Sequence, residues 1–147
     1  MQVLFCRSNA IGSRLIRLLT WSDWSHVALV DGDRYVEATW PRVRESTLAE
    51  ILAAHTEHQV VEIPCRDPQA ALKWARAQVG LPYDLGALLG FLVHRDWTKP
   101  WRWFCSELVA EAFEEGGSPL FRANTIGRVT PQLLWMLAPG PGGTPQT

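Results

Sequence analysis

"SHVALVDGDRYVEAT", residues 25–39, is the stretch whose reading decides the fold. Two runs rich in β-branched and aromatic residues flank Asp31-Gly32, a pair that tolerates the positive φ angles of a tight hairpin turn. With Asp31-Gly32 as the loop, Val30 faces Asp33 and the register runs back to place His26 opposite Glu37. With Gly32-Asp33 as the loop the register slides by two, and both side chains still share a face. Cross-strand neighbours have Cβ atoms about 5 Å apart, near enough for a carboxylate to hold an imidazole. Such a couple is either a polar pair on a solvated sheet face or the orienting half of a catalytic triad.

Outward from the hairpin, strands and helices mix. "QVLFCR" (2–7) reads as a strand and "SNAIGSRLIRLLT" (8–20) as a helix with Ile11, Leu15, Leu18 and Leu19 on one face. Downstream, "ESTLAEILAAH" (45–55) reads as a helix and "HQVVEIP" (58–64) as a strand. "DPQAALKWARAQVG" (67–80) is a helix with Asp67 as N-cap, Pro68 at its first position and Gly80 closing it. "YDLGALLGFLV" (83–93) is also predicted helical, and the Trp-rich "RDWTKPWRW" (95–103) leads into "WFCSELVAEAF" (103–113), a helix ending at Gly116-Gly117. "TPQLLWML" (130–137) makes a last short helix, capped by Thr130, and residues 139–147 read as a disordered tail. With 147 residues, 47% of them hydrophobic, the chain can bury one substantial core, so residues 1–138 are expected to form a single domain.

Composition narrows the function classes. A formal charge of −1 builds no general attraction to nucleic acid or anionic membrane into the chain, and "WTKPWRW" interleaves aromatics with only two basic residues. The N-terminal apolar segment is broken by arginines before any signal core or membrane span forms, so a cytoplasmic protein of bacterial or phage origin without integral membrane association is expected. Three widely spaced cysteines, Cys6, Cys65 and Cys105, offer no C-x-x-C pair and suggest reduced thiols. Together with His26 they supply acceptable metal ligands, but their spacing prearranges no site, and neither metal nor cofactor is expected.

Cys105 shares a face with Leu108, Val109, Ala112 and Phe113, while Glu107, Glu111, Glu114 and Glu115 are directed toward solvent. A lone cysteine on an apolar helical face is most often core filling. Its place at the helix start favours the other reading, because unpaired N–H groups and the positive dipole end stabilise a thiolate and supply donors for an oxyanion. A nucleophile also needs a base. His55 and His58 flank a helix end as solvated or capping residues and His94 follows an apolar segment, which leaves His26.

"SHVALV", "YVEA", "GLPYD", "FCSELV" and "VTPQLL", taken in this order from about Ser25 to Leu134, resemble the circularly permuted branch of the NlpC papain-like cysteine hydrolases, the YiiX/YaeF-like group. In that branch the histidine strand precedes the cysteine helix, as it does here. The resemblance implies an α+β fold in which a small antiparallel sheet packs against the helix carrying the cysteine. It implies Cys105 as nucleophile, His26 as base and Glu37 as its orienting group, with Tyr83 as a substrate or oxyanion contact. Trp101 and Trp103, just before the nucleophile helix, are candidate substrate-wall residues beside Trp97. The expected reaction is hydrolysis of a small peptide, amide or acyl substrate through a thioester. A lipid-directed acyltransferase or thioesterase and a catalytically silent binding module stand as alternatives, and no oligomeric state is implied. A serine hydrolase is disfavoured, since no G-x-S-x-G elbow occurs and Ser106 lacks its glycine frame.

Overall fold

The computed structural model describes residues 1–84, 103–122, 125–126 and 129–139. Most of the helix predicted over 83–93, the Trp97–Arg102 stretch with Trp101, and the tail from residue 140 lie outside the described residues.

Five strands form one antiparallel sheet: β1 (Gln2–Arg7), β2 (His26–Asp31), β3 (Arg34–Thr39), β4 (Arg42–Ser46) and β5 (Glu57–Glu62), in the spatial order β4-β3-β2-β1-β5. Among the described residues five helices accompany it: α1 (Ile11–Thr20), α2 (Leu48–Leu52), α3 (Pro68–Ala77), α4 (Cys105–Glu115) and α5 (Pro131–Leu137). The caps follow the sequence. Asp67 accepts from Ala70 N at 3.0 Å, Thr130 accepts from Leu133 N at 3.3 Å, and Thr47 and Glu50 close a reciprocal box on α2.

Period-two alternation splits the sheet into two buried faces. Val3, Phe5, Val27, Leu29, Val36 and Ala38 point into the main core, against Leu108, Val109, Ala112 and Phe113 of α4 and Leu72 and Ala75 of α3. Leu4, Cys6, Ala28 and Tyr35 point the other way, onto Ile51 of α2. The strands therefore read as continuous apolar runs, as sheets covered on both faces do.

Four details differ from the sequence reading. The hairpin loop is Gly32-Asp33, with Asp31 opposite Arg34 and Leu29 opposite Val36, and Gly32 takes the positive φ of 64°. Continued at the same register, Glu37 stands opposite Ala28 and is the diagonal neighbour of His26. β4 was not anticipated, because "RVRES" is mostly charged; it is an edge strand in which only Val43 and Ser46 are buried. Glu107, expected to face solvent, is buried, since it folds back to accept a hydrogen bond from Phe104 N at 3.1 Å. Finally, the apolar face of α1 turns outward. Ile16 packs on the core, while Ile11, Leu15 and Leu18 are exposed. A relay of serines, Ser8 N to Ser13 Oγ at 3.0 Å and Ser13 Oγ to Ser25 Oγ at 2.7 Å, ties the polar side of the helix to the protein instead.

The end of α4 is close-packed on the start of α3. A Cβ at Gly116 would meet Cys65 Sγ at 2.8 Å, the Asp67 carbonyl oxygen at 2.9 Å and Ala71 Cβ at 3.0 Å. Gly116→Ala is therefore expected to lower unfolding free energy by about 1–3 kcal/mol, read as a lower urea midpoint at unchanged slope.

Candidate active site

Cys105 is the first residue of α4 and His26 the first residue of β2, so both chemically active groups sit where a regular element begins. The Cys105 thiol is near enough to the His26 ring to raise its pKa. On the ring's other side, His26 Nε2 is 2.6 Å from Glu37 Oε2. An ionised carboxylate only accepts, so Nε2 carries a proton and Nδ1 is left for the thiol.

Glu37 is itself held from the neighbouring strand. Its second oxygen accepts from Ser46 Oγ at 2.6 Å and from Arg44 Nε at 2.9 Å, Arg44 being its direct partner across β3 and β4. Burial alone would raise this carboxyl's pKa; the bond to His26 and its charge, with Ser46 and Arg44 adding, outweigh burial and lower it from 4.5 to about 2. Burial likewise works against charge on the His26 ring, but the hydrogen bonds and charges of Cys105 and Glu37 prevail and raise it from 6.5 to about 9. At neutral pH the ring is an imidazolium between a thiol group and a carboxylate.

One residue bypassed by the sequence reading joins the site. His55 stacks on His26 with ring centroids 5.2 Å apart and planes 12° from parallel. Its Nδ1 is 2.8 Å from the Ile51 carbonyl oxygen, which can only accept, so that nitrogen is an N–H. His55 does cap a helix end as expected, but it is half-buried rather than solvated. Burial lowers its pKa, and the charge on His26 lowers it further, so the stack pairs one charged ring with one neutral ring. Nothing in "AAHTEH" signals this contact, which depends on how α2 crosses the sheet.

A cavity of about 290 Å³ opens beside the pair, its wall including His26, His55, Tyr83, Trp40, Ser13 and Ile16. Tyr83 is thus brought to the site. Burial, then the charges of Cys105, Glu107 and Asp84, push its phenol well above the usual tyrosine range, so it presents a neutral hydroxyl. Trp103 bridges to Tyr83 through the backbone, while its ring meets Trp74 of α3 edge-on at 5.2 Å. Cys105 is 1% exposed, and it is His26 and Tyr83 that line the cavity. Cys6 is buried among Leu4, Ala28 and Ile51, and burial followed by the Glu37 charge pushes its thiol up to about 12.

A family model described as permuted papain-like amidase enzyme, YaeF/YiiX, C92 family, matches residues 2–146. The chain belongs to this family. Its α+β architecture is accordingly a permuted papain-like fold, and family membership supports a hydrolase of amidase type. No curated protein matches the chain. Among solved structures it is similar to the metalloprotein yiiX from Escherichia coli O157:H7, with 22% identity and a TM-score of 0.64 over 82% of this chain and 68% of that one. At that identity the likeness concerns the fold. Among the described residues of the present C92-family chain, no group of three or more His, Cys, Asp or Glu side chains is placed to hold a metal ion. In particular, Cys65 lies beside Gly116, and Cys6 is enclosed in the second core.

The two shifted groups set a pH window. The raised pKa of His26 contributes stability that is complete below 6.5 and lost as pH rises through about 9; the lowered pKa of Glu37 contributes stability that is complete above 4.5 and lost as pH falls through about 2. Both contributions are complete between pH 4.5 and 6.5. Melting temperature is expected to fall from that range toward alkaline pH, and Glu37→Gln should flatten the alkaline limb. An NMR titration of the His26 ring should show its midpoint moving down in the same variant.

Proposed function

We propose that the chain is a cysteine hydrolase that cleaves an amide or ester through a thioester, with Cys105 as nucleophile, His26 as base and Glu37 as the group that orients His26. The observation that carries this reading is the 2.6 Å bond of His26 to the buried Glu37 carboxylate, with Cys105 close enough to shift the same ring and a cavity beside it.

The steps follow from the geometry. The proton of the Cys105 thiol rests on His26 Nδ1 as part of the imidazolium, so the sulfur attacks the substrate carbonyl as a thiolate and forms a carbon–sulfur bond. The first N–H groups of α4 are donors for the resulting oxyanion, since the N-cap Phe104 has no side-chain acceptor to occupy them. The Tyr83 hydroxyl, from a residue lining the cavity, serves as a further donor in this proposal. The imidazolium returns its proton to the leaving amine or alcohol as the carbon–heteroatom bond breaks. A water deprotonated by His26 then attacks the thioester, releasing the acid and restoring the thiol. Throughout, the Glu37 carboxylate keeps Nε2 protonated and stabilises the imidazolium. A cavity of about 290 Å³ suits a short acyl or aminoacyl portion, which reaches the sulfur past His26 and Tyr83.

The activated ester p-nitrophenyl acetate is a usable probe. Wild-type protein is expected to release nitrophenol with an initial burst and to carry an acetyl group on Cys105 in peptide mass spectra. Cys105→Ala should abolish both while melting as the parent does, and His26→Ala should lower kcat/KM by about 10²–10⁴-fold. Acetylation at Cys6 or Cys65 with none at Cys105 would end this reading.

A further inference from the structure

α1 has two working sides. Ala10, the residue before it, with Ser13 and Ile16, lines the cavity beside His26. The opposite side carries Ile11, Leu15 and Leu18, exposed to 86%, 48% and 72%, and Trp21, immediately after the helix, is 90% exposed. Their spacing of four, three and three residues keeps them on one stripe. An amphipathic helix that seats its polar side through serines and leaves its apolar stripe in water runs opposite to the usual burial.

Charge indicates what covers the stripe. Arg14 and Arg17 line the same shallow groove as Ile11, Leu15 and Leu18. α1 contains no acidic residue, and the nearest in the following sequence, Asp23, lies beyond Trp21. The neighbouring Arg7 is already paired with Glu57 at 2.6 Å. A twofold contact with a second copy would press Arg14 and Arg17 toward their own counterparts and desolvate like charges. A partner offering both hydrocarbon and negative charge meets none of that difficulty. Leucine and isoleucine on the stripe, flanking arginines and a terminal tryptophan are the composition of a helix lying at a bilayer interface.

We infer that the outer face of α1 is a docking surface for an anionic lipid bilayer, which seats the protein with its cavity beside the membrane surface. The net charge of −1 conceals this because it averages over the whole chain, whereas α1 carries Arg14 and Arg17 with no acidic residue. Docking needs neither Cys105 nor turnover, so it stands apart from the proposed chemistry. Its consequence for that chemistry is positional: α1 forms part of the cavity wall, and substrates carried at a lipid surface arrive at that wall.

The test is co-sedimentation of the full chain with phosphatidylcholine vesicles, with and without phosphatidylglycerol. Binding is expected to the mixed vesicles, to weaken at high salt, and to persist in Cys105→Ala. Arg14→Glu should weaken it by about fivefold or more. Leu18→Glu should abolish it, and both exposed substitutions should leave the melting temperature unchanged. Brominated lipid should quench tryptophan emission in the parent, and quench it less in Trp21→Phe. Failure to bind, equal binding to pure phosphatidylcholine, or binding unaffected by Leu18→Glu would each overturn the inference. So would a dimer in sedimentation velocity that Leu18→Glu dissociates without any vesicle binding, since the stripe would then be a self-association face.

Discussion

A carboxylate buried between strands persists only if its lone pairs are met by donors, and everything at this site depends on how Glu37 meets that condition. Its exposure is 2%, and His26, Ser46 and Arg44 supply the donors from two different strands. Removing any of them leaves part of a charge desolvated, so the carboxylate, the ring and the edge strand β4 are held as one unit. The edge strand is mostly exposed and contributes little to the core, yet two of its residues add to the bonds that keep the carboxylate beside His26 ionised. The proposed chemistry therefore draws on a strand that looks peripheral by burial.

The polar unit and the apolar core divide the sheet between them. His26 and Glu37 occupy alternation positions continuous with Ala28 and Tyr35, whereas Val27, Val36 and Ala38 face α4. Because the two sets interleave residue by residue, a slip of one position would put the carboxylate into the main core and the valines beside the cavity. The hairpin turn at Gly32, in the left-handed region, excludes that slip locally. Register, in this sheet, is a condition for the proposed catalysis as much as for packing.

Much of this was legible in the residues. The hairpin, β1, β5, α3, α4 and the caps at Asp67 and Thr130 each carried a local signal, and the shared face of His26 and Glu37 survived even the shift from an Asp31-Gly32 to a Gly32-Asp33 loop, because a slide of two preserves parity. What escaped lacked local signals. β4 hides its strand character behind charges because it is an edge; Glu107 is buried by a backbone bond no periodicity reports; the stack of His55 on His26 depends on tertiary approach; and α1 inverts the rule that the apolar side of a helix faces inward. The contact of the Trp103 ring with Trp74 likewise carries no sequence signal.

The permuted order has a consequence during synthesis. The ribosome delivers the hairpin with His26 and Glu37, and then β4 with Arg44 and Ser46, well before α4 appears. These partners are close in sequence and need no late segment to find one another, so the basic half of the site is able to assemble while the chain is still short. The thiol emerges into a prepared imidazole rather than waiting exposed for one. Under the proposed mechanism its activation is tied to the docking of α4 on the sheet, the step that also closes the main core, so the nascent chain would acquire a reactive sulfur only as it becomes a folded protein.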